Sequence, residues 1–153
     1  MKPTYLMIPL FLAAIMAGAW LSQPKPSEEA APLLWQGEAN PACRLNERAC
    51  VMKTPLGVVL LQIQPRPIPV MKPLQISLTT DVAQIKSIKA EISGLNMEMG
   101  KLPFNLPKAS AQEYKGNARL PICTESRMHW LFKIQIETQD GLINIPFQFY
   151  TAR

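Results

Sequence analysis

The stretch "RMHWLFKIQIET", Arg127 to Thr138, alternates apolar and polar residues along nearly its whole length. Met128, Trp130, Phe132, Ile134 and Ile136 fall on one side; His129, Leu131, Lys133, Gln135 and Glu137 fall on the other. A period of two is what a strand with one buried face requires, and an amphipathic helix cannot satisfy it. The same pattern recurs with Val59, Leu61 and Ile63, with Leu74, Ile76 and Leu78, and with Ile88, Ala90 and Ile92. It closes the chain with Ile143, Ile145, Phe147 and Phe149, after a hairpin-turn signal at Asp140-Gly141. "EYKGNARLP" reads as one more short strand.

Between these runs the chain is punctuated by proline and glycine. "PRPIPVMKP", with prolines at 65, 67, 69 and 73, excludes both helix and central strand and reads as an extended connector. "KLPFNLPKASAQ" reads as a loop because of Pro103 and Pro107. Gly94 interrupts the parity of the run before it, which suggests a bulge. About seven short strands with one buried face each predict an all-β domain, an antiparallel β-sandwich of immunoglobulin-like or cupredoxin-like class. A small closed barrel is the runner-up.

The chain of 153 residues has room for one such domain. Its first 22 residues carry one lysine, Lys2, and then an uncharged, mostly apolar run from Tyr5 to Leu21, the layout of a secretory signal or a signal-anchor helix. Ala17-Gly18-Ala19 offers a cleavage pattern, but Trp20 and Leu21 prolong the apolar run past it, so a retained anchor is the favoured reading. Residues 23–41, rich in proline, alanine and glutamate, read as a spacer, with Leu33, Leu34 and Trp35 able to dock on the domain. The β-sandwich is expected over residues 42–153.

Whether the signal is cleaved or retained, the remainder is therefore expected to be exported. The net charge of +5 is dispersed, without arginine runs or aromatic-basic interleaving, and no nucleic-acid partner is expected. Cys43 and Cys50 stand close enough in "CRLNERAC" to be bridged in an oxidising compartment. Cys123 is then left over as an odd thiol.

Catalysis finds little support. There is one histidine, His129, no glycine-rich phosphate loop and no C-x-x-C pair. Neither an enzymatic activity nor a small-molecule substrate is expected. Metal binding is better supported, because thioether and thiolate are soft donors that select Cu(I). "GLNMEMGK" sets Met97 and Met99 two apart, which in an extended chain puts both sulfurs on one face at about 6–7 Å between Cα atoms. Cys123 and Met128 are candidates for a third and a fourth ligand. Against this stands the ordinary use of methionine as a gap-filler of cores. His129 has the opposite strand parity to Met128, so a regular strand cannot aim both at one ion.

Taken in order, "PRPIPVMKPL", "GLNMEMG", "LPICTESRMHW" and "PFQFYT" resemble segments of periplasmic, membrane-anchored proteobacterial proteins. These carry G-x-(D/N)-M-x-M-G and LP-x-C-x-x-x-R-M-x-W motifs and are loosely similar to FixH and YtkA-like sandwich domains. The residues that match are Met97, Met99, Gly100, Cys123, Arg127, Met128 and Trp130; the stretch after Gly100 departs from the pattern. The resemblance implies copper handling beside cytochrome oxidase assembly factors, with a Sco-type copper chaperone or an oxidase subunit as partner. Arg127 and Trp130 would be supports, a charge at the mouth of the site and a core anchor. The competing expectation is a metal-free, immunoglobulin-like interaction module of a membrane complex, in which Met97 and Met99 belong to an apolar contact patch.

Overall fold

The computed structural model describes residues 31–152. The apolar segment 1–22 and the first part of the spacer 23–41 lie outside the described residues. Among the described residues there is no helix, and so none that could cross a membrane. Nine strands form instead: β1 (Leu33–Gln36), β2 (Cys50–Thr54), β3 (Gly57–Gln64), β4 (Pro73–Thr80), β5 (Ile85–Gly94), β6 (Lys101–Asn105), β7 (Glu113–Arg119), β8 (Arg127–Thr138) and β9 (Leu142–Ala152). They build a five-stranded sheet in the order β1-β9-β8-β5-β6 and a four-stranded sheet in the order β2-β3-β4-β7, a β-sandwich-like arrangement.

The alternation is realised residue by residue. Val59, Leu61, Ile63, Leu74, Ile76 and Leu78 of the smaller sheet are wholly buried, as are Ile92, Trp130, Phe132, Ile134, Ile136, Ile143 and Ile145 of the larger. These two inner faces form one core, so each strand's inward side chains exchange water for apolar neighbours at about 25 cal/mol per Å². Trp130 stacks on Phe149 across the β8–β9 pair, and its indole N–H donates to Thr151 Oγ1 at 3.0 Å, which satisfies the one polar atom it buries. The hairpin at Asp140-Gly141 forms as expected, and Gly141 has φ +151°. A side chain there would also collide with the Pro32 carbonyl and Leu34, so glycine lets the N-terminal strand lie close.

Several expectations are corrected. The strand count exceeds seven because β1, β2 and β6 carry too few alternating residues to stand out. β1 falls inside the stretch read as spacer. It pairs parallel with β9, and Asn144 Nδ2 donates to Gln36 Oε1 at 2.9 Å, so the domain begins ahead of residue 42. Residues 101–105, read as loop, form β6 despite Pro103, because an edge strand can turn the missing N–H away from its one neighbour, β5. The proline connector is not extended: residues 65–72 bend and return β3 into its antiparallel neighbour β4. Gly94 is not a bulge but the last paired residue of β5, opposite Trp130; the irregularity lies between Ile85 and Ser87.

Candidate metal centre

One end of the larger sheet gathers the sulfur-bearing residues. β5 stops at Gly94, and the chain turns back against β8 before starting β6. The turn is pinned by three hydrogen bonds to β8: Leu95 N–H to His129 O at 2.8 Å, Asn96 Nδ2 to Arg127 O at 3.0 Å, and His129 N–H to Asn96 Oδ1 at 2.9 Å. Met97 and Met99 follow in irregular backbone, both partly buried, with the exposed Glu98 between them accepting from Gly100 N–H at 2.9 Å. The i, i+2 alternation thus survives outside a strand: the two thioethers face the protein and the carboxylate faces water.

The loop between β7 and β8 meets this turn. Cys123, 6% exposed, donates its thiol to Met99 Sδ at 2.8 Å, with a longer contact to the Pro121 carbonyl at 3.8 Å. The next residue, Thr124, donates from Oγ1 to Met97 Sδ at 3.7 Å. Met128 is 2% exposed at the start of β8 and lines, with Cys123, Val70 and Ile122, a small crevice beside this loop. Its Cε lies 3.1 Å from where a side chain on Gly94 would begin, and the Met97 carbonyl is closer still. Met97, Met99, Cys123 and Met128, read from the sequence as candidate ligands, therefore share one end of the fold.

Met99 and Cys123 set two soft donors side by side. Two sulfurs bonded to one metal at about 2.3 Å in a tetrahedral arrangement stand about 3.8 Å apart. The Met99–Cys123 pair, at 2.8 Å, needs to open by about 1 Å, within the reach of an unbranched thioether side chain. Hard or borderline donors do not gather here. No cluster of three or more His, Cys, Asp or Glu side chains occurs among the described residues.

The remaining residues singled out in the sequence go elsewhere. Cys43 and Cys50 form the expected disulfide, with Cα atoms 5.4 Å apart. Arg127 lies on the outer face of β8, its guanidinium 4.1 Å above the Tyr150 ring, where it borders a groove of about 360 Å³ with His129 and the disulfide loop. It does not stand among the sulfurs, because its neighbour Met128 points to the other face. Trp130 is wholly buried beneath the site. Thr124 is the residue that sequence reasoning passed over; its only signal was adjacency to Cys123.

No family model and no curated protein matches this chain. Among solved structures it is similar to an engineered protein, at 14% identity and a TM-score of 0.44, covering 63% of this chain and 20% of that one. It is also similar to a DUF4785 family protein from Legionella pneumophila, at 15% identity and a TM-score of 0.41, covering 65% of this chain and 29% of that one. The chain thus spans less than a third of either protein.

Proposed function

We propose that this protein is a periplasm-facing, membrane-tethered domain that binds Cu(I) through Met97, Met99 and Cys123, with Met128 behind them, and serves copper delivery or respiratory oxidase assembly. The observation that carries the reading is the contact between a nearly buried thiol, Cys123, and the Met99 thioether at 2.8 Å, with the Met97 sulfur against the adjoining Thr124. A thiolate with two thioethers is a soft donor set matched to a monovalent d¹⁰ ion and poorly matched to zinc or harder cations. The disulfide Cys43–Cys50 accords with an oxidising compartment.

The fold is read as immunoglobulin-like. Two features support this: a β9-β8-β5-β6 order that matches the G-F-C-C′ sheet of variable-type domains, and an edge strand laid parallel on the last strand. In such a frame the sulfur cluster occupies loops at one end of the sandwich, where binding residues can vary without disturbing the core.

The test is competition between the full chain in detergent and a chromophoric Cu(I) chelator under anaerobic, reducing conditions. Wild type takes one Cu(I), and Met97→Ala with Met99→Ala abolishes binding while the melting curve still shows a folded domain. Unchanged affinity in the double variant would sink the reading.

A second reading has one observation in its favour: Met71 and Ile122 are exposed apolar side chains near the cluster, Met71 N–H bonding to Leu120 O at 2.9 Å. They suit a protein-interaction module in which Met97 and Met99 contact a partner without metal.

A further inference from the structure

The sulfurs of the cluster are not equivalent, and their order from core to water has a consequence for how cargo would leave. Met128 is almost wholly buried, and its methyl group lies against the backbone of Gly94. Cys123 comes next, buried, with Met99 Sδ as its partner at 2.8 Å. Met97 is different. Its backbone is fixed by the pinned turn at Leu95 and Asn96, and its sulfur accepts a long contact, 3.7 Å, from the exposed Thr124. The partly buried Met97 thioether thus meets a surface hydroxyl, where Met99 meets the buried thiol.

We infer that Met97 is the exchangeable donor of the site, and that Cu(I) passes over it to an acceptor presenting thiolates; this rests on the Cu(I) reading above. Exchange between sulfur ligands proceeds with the metal staying monovalent throughout. The acceptor's thiol gives its proton to water, its sulfur bonds the ion, and the bond to the neutral, outermost thioether breaks first. The Met99 bond follows, and Cys123 takes up a proton from water as its own bond is lost. No electron is transferred. The direction follows from donor softness and charge: an anionic thiolate outcompetes a thioether for a soft cation, whereas another thioether offers no gain. The acceptor class is therefore a cysteine-bearing protein rather than a methionine-only site.

The experiment loads the full chain with one Cu(I) and mixes it in a stopped-flow instrument with N-acetylcysteine or, separately, N-acetylmethionine. Near-UV copper–sulfur absorption is followed over seconds, before thiol–disulfide exchange reaches Cys43–Cys50. N-acetylcysteine draws the metal; N-acetylmethionine at the same concentration does not. Met97→Leu, a volume-conserving change that keeps the turn, speeds transfer by about tenfold and lowers equilibrium affinity by about tenfold, the loss of one neutral donor. Met99→Leu and Cys123→Ser each lose affinity by about a hundredfold or more, beyond the roughly 10–100-fold that loss of a residue merely supporting a ligand costs. Equal transfer to both acceptors overturns the inference. So does a Met97→Leu variant that loses affinity like Met99→Leu, or one that transfers at the wild-type rate. Failure of wild type to take up Cu(I) at all is distinguishable from these results, and it removes both the reading and the inference.

Discussion

Gly94→Ala tests whether the proposed metal centre and the fold are coupled through the end of β5. Gly94 pairs with Trp130, and the chain folds back so tightly that a Cβ there would overlap the Met97 carbonyl and lie 3.1 Å from Met128 Cε. One methyl group must displace either the pinned turn or the core methionine. Overpacking of this kind costs about 1–3 kcal/mol. For a domain of this size each kcal/mol lowers Tm by about 3–5 °C, so a loss of about 3–15 °C is expected. Because the displaced atoms belong to Met97 and Met128, Cu(I) affinity falls with stability. Gly100→Ala is the control. Nothing lies within 4 Å of its added Cβ, and only the left-handed backbone, φ +70°, is penalised, at about 1 kcal/mol. It should lose some stability and little affinity. The assays are calorimetry of the apo chain and chelator competition on both variants. A Gly94→Ala protein with wild-type Tm and wild-type affinity refutes the packing argument.

Removing the Cys43–Cys50 bridge by a double change to serine frees a loop with a sequence separation of 7 and costs about 2–3 kcal/mol by loop entropy, read as a lower urea midpoint. Phe132→Ala empties a wholly buried position at the centre of β8, costing about 3–5 kcal/mol and unfolding a large fraction of the chain at growth temperature; a loss under 1 kcal/mol would mean the sheets do not pack as described. Changing Gly141 to valine drives a side chain into Pro32 and Leu34, so hydrogen exchange should accelerate at Gly37 and Leu142, whose N–H groups bond to Asn144 O and Pro32 O, while the amides of β3 stay protected.

Where a strand buries one face over many residues, burial could be read from the chain directly. β8 is the clearest case, every inward residue from Met128 to Ile136 being buried as its parity requires, whereas β9 also buries Asn144 and Pro146 on its other face. Three of the four edge strands, β1, β2 and β6, were not legible; the fourth, β7, was. β6 holds Pro103, which argues against a strand except where one side has no partner, and sequence alone does not reveal which strands are edges. β1 looked like spacer because its pairing depends on a distant glycine, Gly141, leaving room for it.

The site was half legible. Met97 and Met99 could be singled out as soft donors, and their spacing of two was enough to place both on one side. The alternation at Gly94 could not be extrapolated, since the strand ends there. That Met99 would meet Cys123 depends on the β5–β8 pairing and on two loops meeting at one end of the sheet, a tertiary consequence that no local spacing encodes.

The central claim is that the Met99–Cys123 contact is a metal centre and not a packing accident. Anaerobic Cu(I) titration of the full chain, with X-ray absorption at the copper edge on the one-to-one sample, tests it directly. The account predicts one equivalent bound, a first shell of sulfur only, and loss of that shell's thiolate component in Cys123→Ser. Binding that persists unchanged in Cys123→Ser, or a first shell of nitrogen and oxygen, would contradict it.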